Sequence, residues 1–310
     1  MKTSEFNFPS ATGVCEIQAY RYVPDEDYDT VLVINHGMAE EHKRYEEFAG
    51  FLCKKGVAVY IHDMAGHGRS CTDPSLTGWF GEKDGYLGLV EDLHTMVTRA
   101  VSQNPGRRIL VMGHSMGSFI CRLYVSRYHE DGIEGAIFMG TGGPNPGASF
   151  VRGLASFIGS IRGKKRKSNF LHVIVFCTYG KGFEGRTAFD WLSRDPAVAD
   201  RYIENPDHDF LFTIQGMHDL ISANMACNSD EWYKNVPTDL PILLVSGEQD
   251  PVGDHSRGVI AVYDRLKETG HDKAVKMIYK DCRHEVLNEL NKEEVMEDIY
   301  KWISGQLSKE

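Results

Sequence analysis

Ser115 stands between two glycines in Gly113-His114-Ser115-Met116-Gly117, where a hydroxyl could attack a carbonyl carbon. Serine is a weak nucleophile until a base takes its proton and an acid orients that base. The five-residue pattern is short, and a chain with 31 glycines can carry it by accident. Its setting is more specific. A strand from Ile109 to Met112 leads into it, and a helix with Met116, Phe119, Ile120 and Leu123 on one face leads out. Strand, tight turn and helix put the hydroxyl at the tip of the turn. The free N–H groups at the helix start then face any negative charge that develops there. The other reading is an ordinary glycine-rich turn with a serine helix cap.

A serine on such an elbow takes its acid and then its base from further along the chain. Four histidines lie beyond residue 210: His218, His255, His271 and His284. His284 follows a strand ending near Tyr279 and precedes the last helix, so it lies at a strand's carboxyl end, level with the serine. His271 precedes that strand, at the opposite edge of the sheet. His284 is therefore the expected base. The acid belongs after the strand Ile242 to Val245, in Gly247-Glu248-Gln249-Asp250-Pro251. Asp250 is the expected acid, with Glu248 and Asp254 as alternatives. An oxyanion needs two backbone N–H donors. One is expected from Met116 and the other from Met38, in the loop His36-Gly37-Met38-Ala39-Glu40, where Gly37 permits an unusual backbone. His36 is expected to brace that loop rather than to react.

The elements that must position these groups are read from apolar periodicity. Thr30 to Asn35 and Val57 to Ile61 are continuous apolar runs, as buried parallel strands show. Tyr45, Phe48, Ala49 and Leu52 share a helical face between them. Leu89, Val90, Leu93, Met96, Val97 and Ala100 mark a longer helix, closed by Asn104-Pro105-Gly106. Arg108 to Met112 and Ala136 to Met139 are further strands. Beyond Pro241 come the strand Ile242 to Val245, a helix over Val259 to Leu266, and a strand with Val275, Met277 and Tyr279. The last helix uses Val295, Ile299, Trp302 and Ile303, with Asn291 and Glu294 spaced for a capping box. Such alternation builds an α/β fold with a mostly parallel central sheet and helices on both faces. Residues 142–238 break the rhythm. They are expected to form an inserted cap, or lid, after the sixth strand, over the carboxyl edge where such sheets bind ligands. Residues 1–141 and 239–310 form the core.

The chain has 310 residues, 42% hydrophobic and 25% charged, as soluble globular proteins do. A formal charge of −10 argues against nucleic acid as a partner. The run Lys164-Lys165-Arg166-Lys167 is too short to reverse that. Neither a signal peptide nor an apolar stretch of membrane-spanning length is read. Seven cysteines without a CxxC pair suggest reduced thiols in a cytoplasmic protein. No cofactor and no metal is expected.

Together with Arg44-Tyr45, His62-Asp63-Met64-Ala65-Gly66-His67-Gly68-Arg69-Ser70 and Arg283-His284-Glu285, these segments resemble the monoacylglycerol lipase and lysophospholipase branch of the α/β-hydrolases. That branch is also grouped with serine aminopeptidase-like (S33) hydrolases. The resemblance covers nearly the whole chain and is weakest in the insertion. It implies a capped α/β-hydrolase fold with a triad at Ser115, Asp250 and His284. Residues matching Glu40 and Arg44 lie near the polar head of the acyl glycerol in that branch, which implies substrate contact here. The mammalian-type lipase has a second histidine three residues past the catalytic one, and here that position is Leu287.

In the insertion, Phe150, Val151, Leu154, Phe157, Ile158 and Ile161 recur at helical spacing just before the basic run. The leading reading is a cap helix packed on the main domain. The alternative is peripheral contact with a membrane or micelle. Trp191 is a candidate pocket wall, and Cys282 is read as a buried spectator.

The expected activity is cleavage of a carboxylic ester of a single-chain lipid, of monoacylglycerol or lysophospholipid type, through an acyl-serine. The same triad also serves peptidases, amidases and thioesterases. A peptidase holding a free amine would need lid acids such as Asp195, Glu204, Asp207 or Asp209. A non-enzymatic ligand-binding scaffold is the third reading. Oligomeric state is not legible.

Overall fold

The computed structural model describes residues 1–305. The chain opens with an antiparallel hairpin, β1 (Lys2–Pro9) and β2 (Glu16–Val23), that apolar periodicity leaves unmarked. β1 is exposed along most of its length, and only Phe6 and Phe8 turn inward. Then come β3 (Thr30–Asn35), α1 (Glu46–Lys54), β4 (Val57–His62), α2 (Gly85–Gln103), β5 (Arg108–His114), α3 (Met116–Arg127) and β6 (Gly135–Met139). Five helices follow: α4 (Ala148–Arg162), α5 (Asn169–Phe176), α6 (Pro196–Glu204), α7 (Ile214–Cys227) and α8 (Asp230–Asn235). The chain closes with β7 (Ile242–Gly247), α9 (Arg257–Glu268), β8 (Ala274–Tyr279) and α10 (Lys292–Ile303).

The sheet runs β1-β2-β4-β3-β5-β6-β7-β8. From β4 through β8 every neighbouring pair is parallel, and β1 and β2 are antiparallel additions at one edge. β3, β4, β6 and β7 are buried at every residue, because helices cover both faces. α1 and α10 cover one face; α2, α3 and α9 cover the other.

The stretch between β6 and β7 contains the helix expected over Phe150 to Ile161, as α4, and is regular beyond it where periodicity alone reads it as irregular. Its clearest signals are N-caps: Ser168, Asp195, Thr213 and Ser229 each accept a backbone N–H at the start of α5, α6, α7 and α8. α7 and α8 are joined to α3 rather than laid loosely over the sheet. Arg122 of α3 donates to Cys227 O at 2.5 Å and Asn228 Oδ1 at 3.0 Å, while Trp232 Nε1 donates to Arg122 O at 2.5 Å. The expected capping box at α10 does not form. The Asn291 amide does donate to Glu294 Oε2 at 2.9 Å, but its Oδ1 is drawn outward to Arg194 at 2.7 Å and caps no backbone N–H.

The turn at the end of β5 depends on close approach. A Cβ on Gly117 would lie 2.2 Å from Asn35 O and 2.3 Å from His36 O, so α3 can rest on the end of β3 only with glycine there. Gly117→Ala is therefore expected to lower stability by about 1–3 kcal/mol through overpacking. Urea unfolding followed by circular dichroism measures this, and an unchanged midpoint would contradict the packing argument.

Candidate active site

Ser115 lies at the tip of the turn from β5 to α3 with φ 53° and ψ −120°. A positive φ on a residue with a Cβ is strained, and the surroundings hold it in place. The Ser115 N–H donates to Met139 O at 2.9 Å, and the Ser118 N–H donates to Ser115 O at 2.9 Å.

Asp250 is fully buried in the turn after β7. Its Oδ1 accepts from His284 Nδ1 at 2.9 Å and from the Val252 N–H at 2.9 Å. The bonding assigns the proton to Nδ1 and leaves Nε2 as the basic nitrogen. Ser115 and His284 line one cavity, although the Ser115 hydroxyl makes no hydrogen bond to the imidazole in this side-chain arrangement. The alternatives make no hydrogen bond to His284. Glu248 is exposed and accepts the Asp281 N–H, and exposed Asp254 pairs with Arg257. His271 is buried at the far edge between Leu266 O and Val236 O, His218 faces Asp219, and His255 is exposed.

The His284 loop is held by the segment between β6 and β7. The His284 N–H donates to Trp191 O at 3.3 Å and the Glu285 N–H to Leu192 O at 2.8 Å. Arg283 donates to Asp190 O at 2.5 Å and Ser193 O at 3.1 Å. Arg194 pairs with Glu289 at 2.9 Å. Cys282 is fully buried, and burial pushes its thiol up to about 11. This clamp leaves no periodic trace in the sequence.

The loop after β3 is tied to the elbow by Glu40. One of its oxygens accepts from the Gly37 N–H, from His114 Nδ1 at 3.0 Å and from the Tyr45 hydroxyl at 2.8 Å. The other accepts from Arg44 Nε at 3.1 Å, and Arg44 also pairs with Glu285. Glu40 and Arg44, expected near the polar head of a substrate, thus have protein partners for these atoms. Glu40 borders the cavity, whereas Arg44 lies behind it. Gly37 serves by its lack of bulk, since a Cβ there would lie 2.6 Å from Glu40 Oε1, and the positive φ falls on Ala39 instead. His36 braces the loop through Nδ1 to Gly37 O at 2.8 Å and by accepting the Met64 N–H at 2.9 Å. Among the described residues, the Met38 and Met116 N–H groups have no hydrogen-bond partner.

Burial alone would raise the Glu40 carboxyl and lower the His114 imidazole. Their mutual attraction wins, with Arg44 assisting, so Glu40 lies well below the ordinary carboxylate range and His114 above the ordinary histidine value.

The cavity in front of Ser115 has a volume of about 760 Å³. Trp191 is part of its wall, with its ring centroid 5.2 Å from that of His284 and edge-on to Tyr179. Among the described residues its lining includes Glu40, Asp209, Asp254 and Glu285 but no lysine or arginine. Of the acids considered for an amine, only Asp209 borders it. Asp195 caps α6 instead.

Sheet order, elbow and cavity define an α/β-hydrolase. A family model described as "Serine aminopeptidase, S33" matches residues 26–291, and the chain belongs to that family. The chain is 29% identical to a monoacylglycerol lipase of Mycolicibacterium smegmatis over 98% of both chains. It is 34% identical to lysophospholipase L2 of Escherichia coli over 38% of this chain and 34% of that one. A thermostable carboxyl esterase from Bacillus coagulans, solved in complex with glycerol, superposes with a TM-score of 0.92. It is 29% identical, over 98% of this chain and 99% of that one. The chain is accordingly a hydrolase enzyme.

Glu40→Gln should weaken the hold on the loop that carries Met38. The expected loss in kcat is on the order of 10²-fold, with KM changed little, because oxyanion donors act mainly on the transition state. The pH dependence carries a sign. Glu40, lowered on folding, contributes its stability in full above its ordinary 4.5 and loses it as pH falls through the folded value. His114, raised on folding, contributes in full below its ordinary 6.5 and loses it as pH rises through the folded value. The stability gap between wild type and Glu40→Gln should therefore be widest from pH 4.5 to 6.5. Urea midpoints across that range test it, and a gap that widens above pH 8 would contradict it.

Proposed function

We propose that the chain hydrolyses the carboxylic ester of a single-chain lipid, of monoacylglycerol type, through an acyl-serine at Ser115. The observation that carries this reading is the buried Asp250–His284 pair, 2.9 Å apart, with His284 and Ser115 opening on one largely apolar cavity. A rotation of the serine side chain brings its hydroxyl to His284 Nε2, which takes the proton as Oγ attacks the ester carbon. Asp250 holds the tautomer and pairs with the imidazolium. The Met38 and Met116 N–H groups receive the oxyanion. The imidazolium then protonates the departing alkoxide. His284 next activates water to release the fatty acid and restore the serine.

The relatives' names favour an ester. The cavity favours an uncharged alcohol, because a phosphate head group would meet carboxylates and no lysine or arginine. Residues 142–238 serve as the cap on this reading, with α4, α5 and the Trp191 segment facing Ser115 across the cavity. Seven unpaired thiols fit a cytoplasmic location. Among the described residues no helix is long and apolar enough to cross a membrane.

Contact with a lipid surface through the cap belongs to the same reading. α4 lays Ala148, Ala155 and Gly159 inward, against α7, and leaves Phe150, Phe157 and Ile161 exposed by 75%, 63% and 68%. Phe170 and Val173 of α5 are also exposed. The basic run is partly occupied as a strap: Lys164 donates to Glu82 O and Lys167 to Thr77 Oγ1, both at 2.5 Å, and Lys165 lies over Trp79. The apolar face is therefore the membrane-facing feature.

A fluorophosphonate probe should label Ser115 in the wild type and nothing in Ser115→Ala. Asp250→Asn should lower kcat by roughly 10⁴-fold. Monoacylglycerol should be cleaved in preference to lysophosphatidate, and a preference for an aminoacyl amide would overturn the ester reading.

In vesicle sedimentation, a Phe150/Phe157/Ile161→Ser variant should partition less than wild type while still hydrolysing a short soluble ester. Equal partitioning would remove the lipid-surface contact.

A further inference from the structure

Glu41 follows Glu40 in the chain but takes no part in the knot around it. It is fully buried, and neither carboxylate oxygen has a hydrogen-bond partner. A carboxylate stripped of water is retained where something else compensates its charge. Its neighbours are metal-ligating groups. His42 Nδ1 lies 3.6 Å from Glu41 Oε2 and 2.9 Å from Asp63 Oδ1, and ligand atoms of the three residues lie within 4.8 Å of one another. A fourth group comes from a separate segment. His208, in the loop after α6, brings Nε2 to 4.0 Å from Glu41 Oε1. Its side chain is 3% exposed, its Nδ1 has no partner, and the one neighbour of Nε2 is the Asn205 amide at 3.4 Å.

We propose that Glu41, His42 and Asp63, completed by His208, form a binding site for a divalent transition metal, zinc by ligand type. The site would clip the loop around residue 208 to the loop that follows β3. Two imidazoles and two carboxylates suit zinc, whereas calcium and magnesium ask for shells of oxygen. Tetrahedral zinc with bonds of about 2.0–2.2 Å sets its ligand atoms roughly 3.4 Å apart. The observed 2.9 and 3.6 Å among Glu41, His42 and Asp63 bracket that spacing, and His208, 4.0 Å from the other Glu41 oxygen and outside that cluster, is drawn in to complete the shell.

Binding exchanges charges in a balanced way. His42 Nδ1 now shares its hydrogen with Asp63, and this hydrogen passes to Nε2 as the neutral ring changes tautomer, freeing the Nδ1 lone pair for the metal. Lys43 Nζ, 3.7 Å from Glu41 Oε1 on a side chain 57% exposed, swings outward as the metal takes over its neutralising role. Asp209 and Phe210, directly after His208, line the cavity in front of Ser115, so a metal drawing His208 inward would narrow access to it.

The test uses the full chain freed of metal with a chelator and titrated with zinc alone. Equilibrium dialysis should give one zinc per chain, with a zinc-dependent rise in melting temperature. Cobalt in place of zinc should show four-coordinate bands without thiolate charge transfer. Glu41→Gln and His208→Ala, each compared with its own melting temperature in chelator, should weaken binding by roughly 100-fold or more. No zinc-dependent shift in the wild type, equal binding by both variants, or a thiolate band would each overturn the site.

Discussion

Glu40 holds a negative charge inside the protein, and three separate parts of the fold meet on it. A buried carboxylate survives only with its lone pairs satisfied, so the donors around it are tightly constrained. Those donors are the Gly37 N–H from the loop after β3, His114 from the end of β5, and Tyr45 and Arg44 from the turn into α1. One ion therefore registers the expected oxyanion loop against the elbow that carries Ser115. Arg44 extends the tie to Glu285, beside His284. Removing one partner of such a set leaves the others charged and dry, which costs more than the bond itself.

The His284 loop has a different support. The sheet delivers it to the correct edge at the end of β8, but its outer side is fixed by residues of the long segment between β6 and β7. Arg283, the His284 and Glu285 N–H groups, and Glu289 all bond to residues 190–194. α7 and α8 are meanwhile joined to α3 through Arg122 and Trp232. The segment is thus partly scaffold.

What the sequence made legible follows from this division. β3, β4, β6 and β7 are buried at every position because both faces are covered, and the order of Ser115, Asp250 and His284 along the chain follows from strand ends that share one edge. The hairpin β1–β2 is hidden because one side faces water and few residues alternate cleanly. Of the helices between β6 and β7, α4 shows helical spacing; α5 to α8 escape a periodic reading, yet Ser168, Asp195, Thr213 and Ser229 mark their starts. The Glu40 knot is a different matter. It joins His114 and Glu285, far apart in the chain, and no local pattern encodes a contact of that kind.

α4 shows how the segment between β6 and β7 differs from the core in design. A helix packed on a water-soluble body normally turns its largest apolar residues inward. α4 does so only in part: Val151, Leu154 and Ile158 pack against the core beside Ala148, Ala155 and Gly159, while Phe150, Phe157 and Ile161 face outside. The small residues let α4 sit close to α7, so Gly159 comes within contact of Ile214. The three exposed ones gain little from the folded chain and cost solubility. That row makes physical sense if the outer face meets lipid, because the same residues then leave water at the surface from which a single-chain ester would enter the cavity.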